Sequence, residues 1–323
     1  MMEGRRLREG TVPVLDSADG RSTSSDPEDV FRSERARLMG VAYRMLGSVV
    51  DAEDVVQEAW LRWNAADQTV IERPAAWLTT VTSRLAIDRL RSQRRRREEY
   101  VGPWLPDPIS TVFAIDEDAP GGSLGPERSA EMAESLELGF LVVLDALGPV
   151  ERAVFLLADV FAVPFAEIAV VVDRTPEACR QVASRARRKV REDRSDRRAV
   201  DEGLLGDLVA AIALGDIERV VSLLSPDVVL TSDGGPLRHA ARRPVVFPDR
   251  VARLLVNLGT RISIDSTMAI EQVNHAPALV IRSAVETLIL MAEREPVTGA
   301  VVRIQMVLNP DKLVGIHRSV ELI

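Results

Sequence analysis

PFAEIAVVVDRTPEACRQVASRARRKVRE, residues 164–192, reads as two helices around a tight turn, the layout of a helix-turn-helix. Phe165 to Val171 is the short first helix, and Val172-Asp173-Arg174 makes the turn without a glycine. Thr175 caps the second helix, Pro176 takes the position after the cap, and Glu177 suits the positive helix end. Cys179, Val182, Ala186 and Val190 recur at spacings of three, four and four, which predicts the buried face. Glu177, Arg180, Gln181, Ser184 and Arg188 then face outward. Arg and Gln are side chains able to read base edges in the major groove, and Arg185, Arg187 and Lys189 are placed to reach phosphates. The alternative is a basic surface helix of no function; capping, spacing and charge together favour DNA binding.

Upstream of this motif, Leu136–Leu147 and Glu151–Phe161 read as helices separated by Gly148-Pro149, so the module spans residues 134–198. Residues 174–198 carry ten basic side chains against four acidic ones. A second cluster, RLAIDRLRSQRRRREE at 84–99, carries seven arginines against three carboxylates, while the whole chain is at −8. Cationic charge confined to two patches suits a protein that meets phosphate at two places and repels it elsewhere.

The second cluster ends a helical domain expected over residues 28–100. In DAEDVVQEAWLRW (51–63), Asp51 is the expected N-cap, and Ala52, Val55, Val56, Ala59, Trp60 and Trp63 form one apolar face. Asp54, Gln57, Glu58 and Leu61 share another stripe, acidic with an apolar tip. It suits either docking on a basic helical surface or a solvated outer face. Pro74 opens the next helix, on which Trp77, Leu78, Val81, Leu85 and Leu90 recur at near-helical spacing. Thr80, Arg84, Asp88 and Arg91 lie between them. Such a face can contact phosphates and exposed bases, with Trp77 either stacking on a base or packing in the core. Residues 101–133 form a linker rich in Pro, Gly and acid. WLPDP at 104–108 is unusual for a passive tether, and an exposed Trp104 there marks a docking segment. Residues 1–27 lack an apolar core and read as a disordered extension.

Together these segments resemble a bacterial RNA polymerase sigma factor of the extracytoplasmic-function type, over residues 28 to about 192. DAEDVVQEAWLRW resembles the part of region two that binds core polymerase, at the β′ clamp helices. PAAWLTTVTSRLAIDRLRSQRRR resembles the part that opens and reads the −10 element. LGPVERAVFLLADVFAVPFAEIAVVVDRTPEACRQVASRARRKV resembles region four, which reads the −35 element. The resemblance implies that Asp54, Gln57, Glu58 and Leu61 touch polymerase. It also implies that Trp77, Thr80, Arg84, Asp88 and Arg91 lie near the −10 strand, and Glu177, Arg180, Gln181, Ser184, Arg185 and Arg188 on the −35 groove.

The chain continues well past such a module. WLPDP, SDGG at 232–235 and NPDKL at 309–313 are marks of the SigJ-like subgroup, which carries a C-terminal SnoaL-like domain. The subgroup's glycine-rich motif usually continues with Gly and Lys, where Pro236 and Leu237 stand here. The resemblance implies a multi-domain fold: two all-α sigma domains, then an α+β domain of the SnoaL, ketosteroid-isomerase or cystatin-like cone type over 201–323. That last domain would regulate the others through Trp104, Pro106, Asp233, Gly234, Gly235, Asn309, Pro310, Asp311 and Lys312.

The residues themselves give the same class. Asp201–Leu214, Ile217–Leu224 and Asp249–Leu258 read as helices. Asp227–Thr231, Ile262–Val273, Ala278–Val285, Glu286–Glu293, Val301–Leu308 and Leu313–Val320 read as strands of an antiparallel sheet. Asp233, His239, His275 and His317 are the available bases, but the domain holds no Tyr or Trp to act as an oxyanion donor. A regulatory domain is therefore expected rather than an enzyme, with a small-molecule ligand in the cone as the alternative. No cofactor, metal or membrane partner is expected, and the free chain is expected to be a monomer. The single Cys179 excludes an internal disulfide and fits a buried thiol in a reducing cytoplasm.

Overall fold

The computed structural model describes residues 26–110, 134–194, 197–313 and Ile316. The expected N-terminal extension, most of the linker and His317 lie outside the described residues.

Helix α1 (Pro27–Leu46) starts on Asp26, whose carboxylate accepts the Glu28 N–H at 3.0 Å, and ends at Gly47. Gly47 has φ +65°, and a Cβ there would stand 2.9 Å from the Trp104 indole. Glycine both makes this turn and admits the ring. Helix α2 (Val49–Ala65) is capped by Ser48, not by Asp51 as expected. Asp51 lies inside the first turn, where its carboxylate takes Arg89 at 2.6 Å and also Gln93, both from α3 (Pro74–Glu98). A carboxylate is favourable at either place, so the capping signal alone could not fix the start.

Helices α4 (Leu138–Leu144) and α5 (Pro149–Phe155) precede a π turn at Leu156–Val160; α6 (Phe165–Val172) and α7 (Pro176–Arg194) follow. The helix expected over Leu136–Leu147 is shorter because its end tightens, with Leu147 N–H donating to Leu144 O at 3.0 Å. Helices from both ends of this stretch share one continuous core: Leu38, Met45, Leu78 and Leu90 belong to the same cluster as Leu141, Leu144, Val154 and Ile168. Each such side chain contributes roughly 1.5–3 kcal/mol on burial. The two helical sets are thus joined by the same force that folds each of them.

The rest is α+β. Strand β1 (Arg198–Ala199) leads to α8 (Glu202–Leu214), α9 (Ile217–Leu223), β2 (Leu224–Asp233), β3 (Val245–Val246), α10 (Pro248–Gly259), β4 (Thr267–Val273), β5 (Ala276–Arg282), β6 (Thr287–Arg294) and β7 (Val301–Val307). The sheet order is β3-β2-β7-β6-β5-β4, with β1 on β6. The expected antiparallel sheet is in fact mixed, since β2 runs parallel to β7 with Leu230 opposite Ile304. That pairing joins strands far apart in sequence, and no local pattern reports its direction. The strand expected from Ile262 starts only at Thr267, because Ser263–Ser266 closes a turn by a 3.0 Å bond. The expected last strand, Leu313–Val320, is not formed at Leu313 or Ile316, and the rest of it lies outside the described residues.

Both faces of the sheet are buried over β5, β6 and β7, while β4 is largely exposed. Leu279, Ile281, Leu290, Ile304 and Met306 pack inward on α8 and α10 through Leu205, Leu208, Val251 and Leu255. Ala278, Val280, Ile289, Met291 and Val307 pack outward on Leu105, Leu138, Leu313 and Ile316. Leu105 comes from the linker and Leu138 from α4, so the outer face is where the α+β domain meets the helical part.

Candidate nucleic-acid interface and interdomain contacts

Asp173 ends α6 in the left-handed conformation, φ +53°. Asp tolerates that conformation better than most residues, which explains a turn without glycine. The Thr175 hydroxyl accepts the Ala178 N–H at 3.2 Å and caps α7. Cys179, Val182, Ala186 and Val190 are buried, and Glu177, Arg180, Gln181, Ser184, Arg185 and Arg188 are exposed, as their period requires. Burial also raises the Cys179 thiol above its ordinary range. Two expected phosphate contacts are otherwise engaged. Arg187 grips Asp159 at 2.7 Å and Lys189 grips Glu151 at 2.8 Å, so they fasten α7 to α5 and the π turn. Their partners lie beyond α6, upstream, where the pattern of α7 carries no information.

On α2, Asp54, Gln57 and Leu61 are exposed and Glu58 is half-buried; Asp54 pairs with Arg89 at 2.9 Å and Glu58 with Arg62 at 3.0 Å. On α3, Trp77 packs against Trp63 with ring centroids 5.5 Å apart, and the Thr80 hydroxyl donates to Ala76 O at 2.9 Å. Asp88 and Arg91 pair at 2.9 Å on the exposed side. Arg84 does not stand free. Its guanidinium donates to Val170 O at 2.6 Å and Val171 O at 3.3 Å, at the C-terminal end of α6. Arg73 pairs with Glu167 of α6 at 2.7 Å. Helix α6 therefore lies on α3 and occupies one of the residues expected near the −10 strand.

The three motifs expected to regulate do converge. Asp233 is fully buried and its carboxylate is saturated. One oxygen accepts from Tyr100 Oη at 2.6 Å and Gly235 N–H at 3.1 Å; the other accepts from Leu105 N–H at 2.8 Å and Lys312 Nζ at 2.6 Å. Lys312 also donates to Leu105 O and stands 3.9 Å from the Trp104 ring centroid, which Arg97 covers at 3.3 Å. Asn309 donates to Tyr100 Oη at 2.8 Å and caps the turn Pro310–Lys312 through Asp311 N–H at 3.2 Å, leaving the Asp311 side chain exposed. Burial lowers the Lys312 ammonium and raises the Tyr100 hydroxyl, the latter helped by its bond to Asp233. Gly234 and Gly235 are buried, and a Cβ at Gly235 would meet Asn309 at 2.6 Å. Pro236 and Leu237 are exposed, so the departure from the usual glycine-rich continuation falls outside this packing.

A second junction lies beside the first. Asp107 is 4% exposed; its carboxylate accepts Val49 N–H at 2.9 Å and its carbonyl accepts Tyr43 Oη at 2.6 Å. Burial pushes its carboxyl up to about 6, against the opposing pull of Lys312. Asn274, at φ +53° after β4, donates to Tyr43 Oη and Leu136 O, both at 2.9 Å, and accepts from Ile109 N–H at 3.0 Å. Sequence reasoning missed Tyr43, Arg97, Tyr100, Asp107 and Asn274 as members of these networks. Only Asp107 had a signal, inside WLPDP. Of the expected bases, Asp233 is consumed by the first network, His239 is exposed on its loop, and His275 sits in the β4–β5 turn with φ +59°. Among the described residues no cluster of His, Cys, Asp or Glu could hold a metal, and no helix is long and apolar enough to cross a membrane.

Residues 30–96 match the family model for Sigma-70 region 2, and residues 139–190 that for Sigma-70 region 4. The chain is 46% identical to the ECF RNA polymerase sigma factor SigJ of Mycobacterium tuberculosis over 72% of this chain and 72% of that protein. It is 34% identical to the probable ECF RNA polymerase sigma factor SigI of the same species, over 61% of this chain and 67% of that protein. The crystal structure of M. tuberculosis SigJ is similar at a TM-score of 0.66 and 36% identity, covering 90% of this chain and 99% of that one.

Proposed function

Since the chain belongs to the extracytoplasmic-function RNA polymerase sigma factors, a class that directs promoter-specific initiation, we propose specific roles for its surfaces. Asp54, Gln57, Glu58 and Leu61 dock on the β′ clamp helices of core polymerase. Arg84, with Thr80, Asp88 and Arg91, works at the −10 element; Trp77 supports that surface from its packing on Trp63. Glu177, Arg180, Gln181, Ser184, Arg185 and Arg188 read the −35 groove. The exposed face of α7 is the observation that carries this reading, because every one of those six residues is exposed while the alternate face is buried.

The same reading makes the arrangement described above a closed form. Arg84 is exposed but its guanidinium is bonded to α6, so its work at the −10 element requires those bonds to break, and opening would separate α6 from α3. The α+β domain, residues 201–323, acts on that equilibrium by holding the linker through Asp233, Lys312 and Asn309, and α4 through the outer sheet face. Its inner face is filled by α8 and α10, which favours regulation by contact over a ligand sensor. The equilibrium between closed and promoter-competent forms is a population shift.

The direct test is run-off transcription with core polymerase and the promoter upstream of the gene. Specific initiation is expected; absence of core binding and of initiation would leave a stand-alone DNA-binding protein. Arg84→Ala tests the closed form. Losing two partly exposed bonds to carbonyls should cost the closed form about 1 kcal/mol, a roughly fivefold rise in the open fraction. Distance measurements between labels on α2 and α7 read this independently of activity. An unchanged distance distribution would remove Arg84 from the closing contact.

A further inference from the structure

The loop that follows Asp233 borders an open hollow of about 150 Å³, between Val101-Gly102 of the linker and residues 232–242 of the α+β domain. That is room for a small molecule rather than for water alone. Its wall is rich in hydrogen-bond donors. None of its lining residues is Asp or Glu, although the chain as a whole stands at −8. Arg242 and His239 are exposed, and neither side chain bonds to another described residue. The backbone N–H groups of His239, Ala240 and Arg242 donate to no described residue. Ser232 is 5% exposed; its Oγ accepts the Ala241 N–H at 2.9 Å, and its own hydroxyl proton has no acceptor among the described residues. Arg238 donates to Val285 O and stands 3.6 Å from Glu286, so this second guanidinium is held in place and partly balanced.

The frame around these donors is preorganised. Arg238 N–H donates to Gly234 O at 3.1 Å, and a Cβ at Gly234 would stand 2.6 Å from Arg238 O, so the turn closes too tightly for any other residue. Gly102 and Gly235, at φ +82° and +55°, complete the wall without side chains that would fill it. Donors without acceptors suit a ligand that carries only acceptors. A phosphoryl group offers three acceptor oxygens and about −1.5 to −2 of charge, and its geometry matches a guanidinium fork. A carboxylate, with two oxygens and a single charge, would leave part of this donor set unused.

We infer that the hollow binds the phosphate group of a small phosphorylated molecule, with Arg242, His239 and the Ser232 hydroxyl as donors. Its wall comes from both sides of the junction that Asp233 ties together through Tyr100 and Leu105. Part of that wall is lost when the linker leaves the α+β domain, so the bound molecule stabilises the junction by mass action. The site stands independently of the polymerase and promoter roles proposed above.

The test titrates the full chain with inorganic phosphate and with pyrophosphate, at an ionic strength held constant with chloride. Thermal melting reads binding, and limited proteolysis between Tyr100 and Ser110 reads the junction. A saturable rise in melting temperature and slower cleavage are expected. H239A/R242A should weaken the apparent affinity by at least about tenfold, as the loss of a hydrogen bond between charged groups requires, and R242K should keep part of it. Both side chains are exposed, so these variants should melt with the parent when no phosphate is present. No saturable effect of either anion overturns the inference, as does equal affinity in H239A/R242A. Protection by a DNA duplex but by neither phosphate nor pyrophosphate also overturns it, and would assign the loop to a polyanion. If the parent chain binds pyrophosphate as expected but neither binds core polymerase nor initiates, the initiation reading falls and this site remains.

Discussion

Asp233→Asn is expected to destabilise the junction between linker and α+β domain by about 3–5 kcal/mol, the usual cost of stripping a buried charge of its partner. Lys312 has 8% of its side chain exposed and Asp233 none, so water cannot replace the lost carboxylate. The ammonium would keep Leu105 O, the faces of Trp104 and Tyr100 and the more distant Asp107 as partners. The amide that replaces the carboxylate must also place its NH₂ among the four donors that Asp233 satisfies, and at least one donor is then left facing another. The expected readouts are a lower urea midpoint, an increased radius in solution scattering and faster proteolysis between Tyr100 and Ser110. Lys312→Met in the same chain should restore much of the loss, because an apolar side chain leaves no bare charge. A double-mutant cycle with no coupling between these positions would show that the ion pair does not hold the junction. Asp311→Ala, by contrast, should change little, since that side chain is exposed.

The second large effect is a dependence on pH. The Asp107 carboxyl is raised by burial to about 6, against about 4 in an unfolded chain. The native state therefore holds the extra proton between those values. This group's contribution to stability is complete below pH about 4 and is lost as pH rises through about 6. Above that, an ionised carboxylate sits buried with Val49 N–H, Ser48 and the more distant Lys312 for compensation, and with Asp51 opposing it. The loss amounts to something on the order of 2–3 kcal/mol. Asp107→Asn should remove it. Its amide oxygen can still accept from Val49 N–H, and its NH₂ can turn to Ser48. The variant is thus expected to be more stable than the parent at pH 8 and nearly equal to it at pH 4, in urea denaturation at each pH. Parallel curves for the two chains would contradict the assignment.

These two residues also show what could be read from the chain alone. WLPDP, SDGG and NPDKL marked the residues expected to regulate as motifs, and all three do meet. Their partners did not announce themselves. Arg97 belonged to the basic segment 84–99 and Tyr100 followed it, and Tyr43 lay in a stretch with no motif of its own. Asn274 lay between two expected strands without a reading of its own, yet its side chain ties α1, the linker and the segment before α4 together. Arg84, Arg187 and Lys189 all read as cations for DNA. The last two are spent on carboxylates from another helix, and Arg84 on carbonyls of α6.

What the amino-acid sequence determined by itself was everything governed by neighbours along the chain. Helical period and turn chemistry placed α2, α3, α6 and α7, with capping right for α7 but not for α2; they chose the buried faces and left exposed the residues proposed for the −35 groove. These depend on spacing of a few residues, which a pattern can carry. The tertiary structure alone decided the parallel pairing of β2 with β7, the bonding of Arg84 to α6 carbonyls, and the saturation of Asp233 by groups up to 133 residues away. Such contacts are set by which surfaces remain after each segment has buried its own apolar face. A buried charge is tolerated only where several segments supply partners at once, and that condition becomes visible only when all of them are in place.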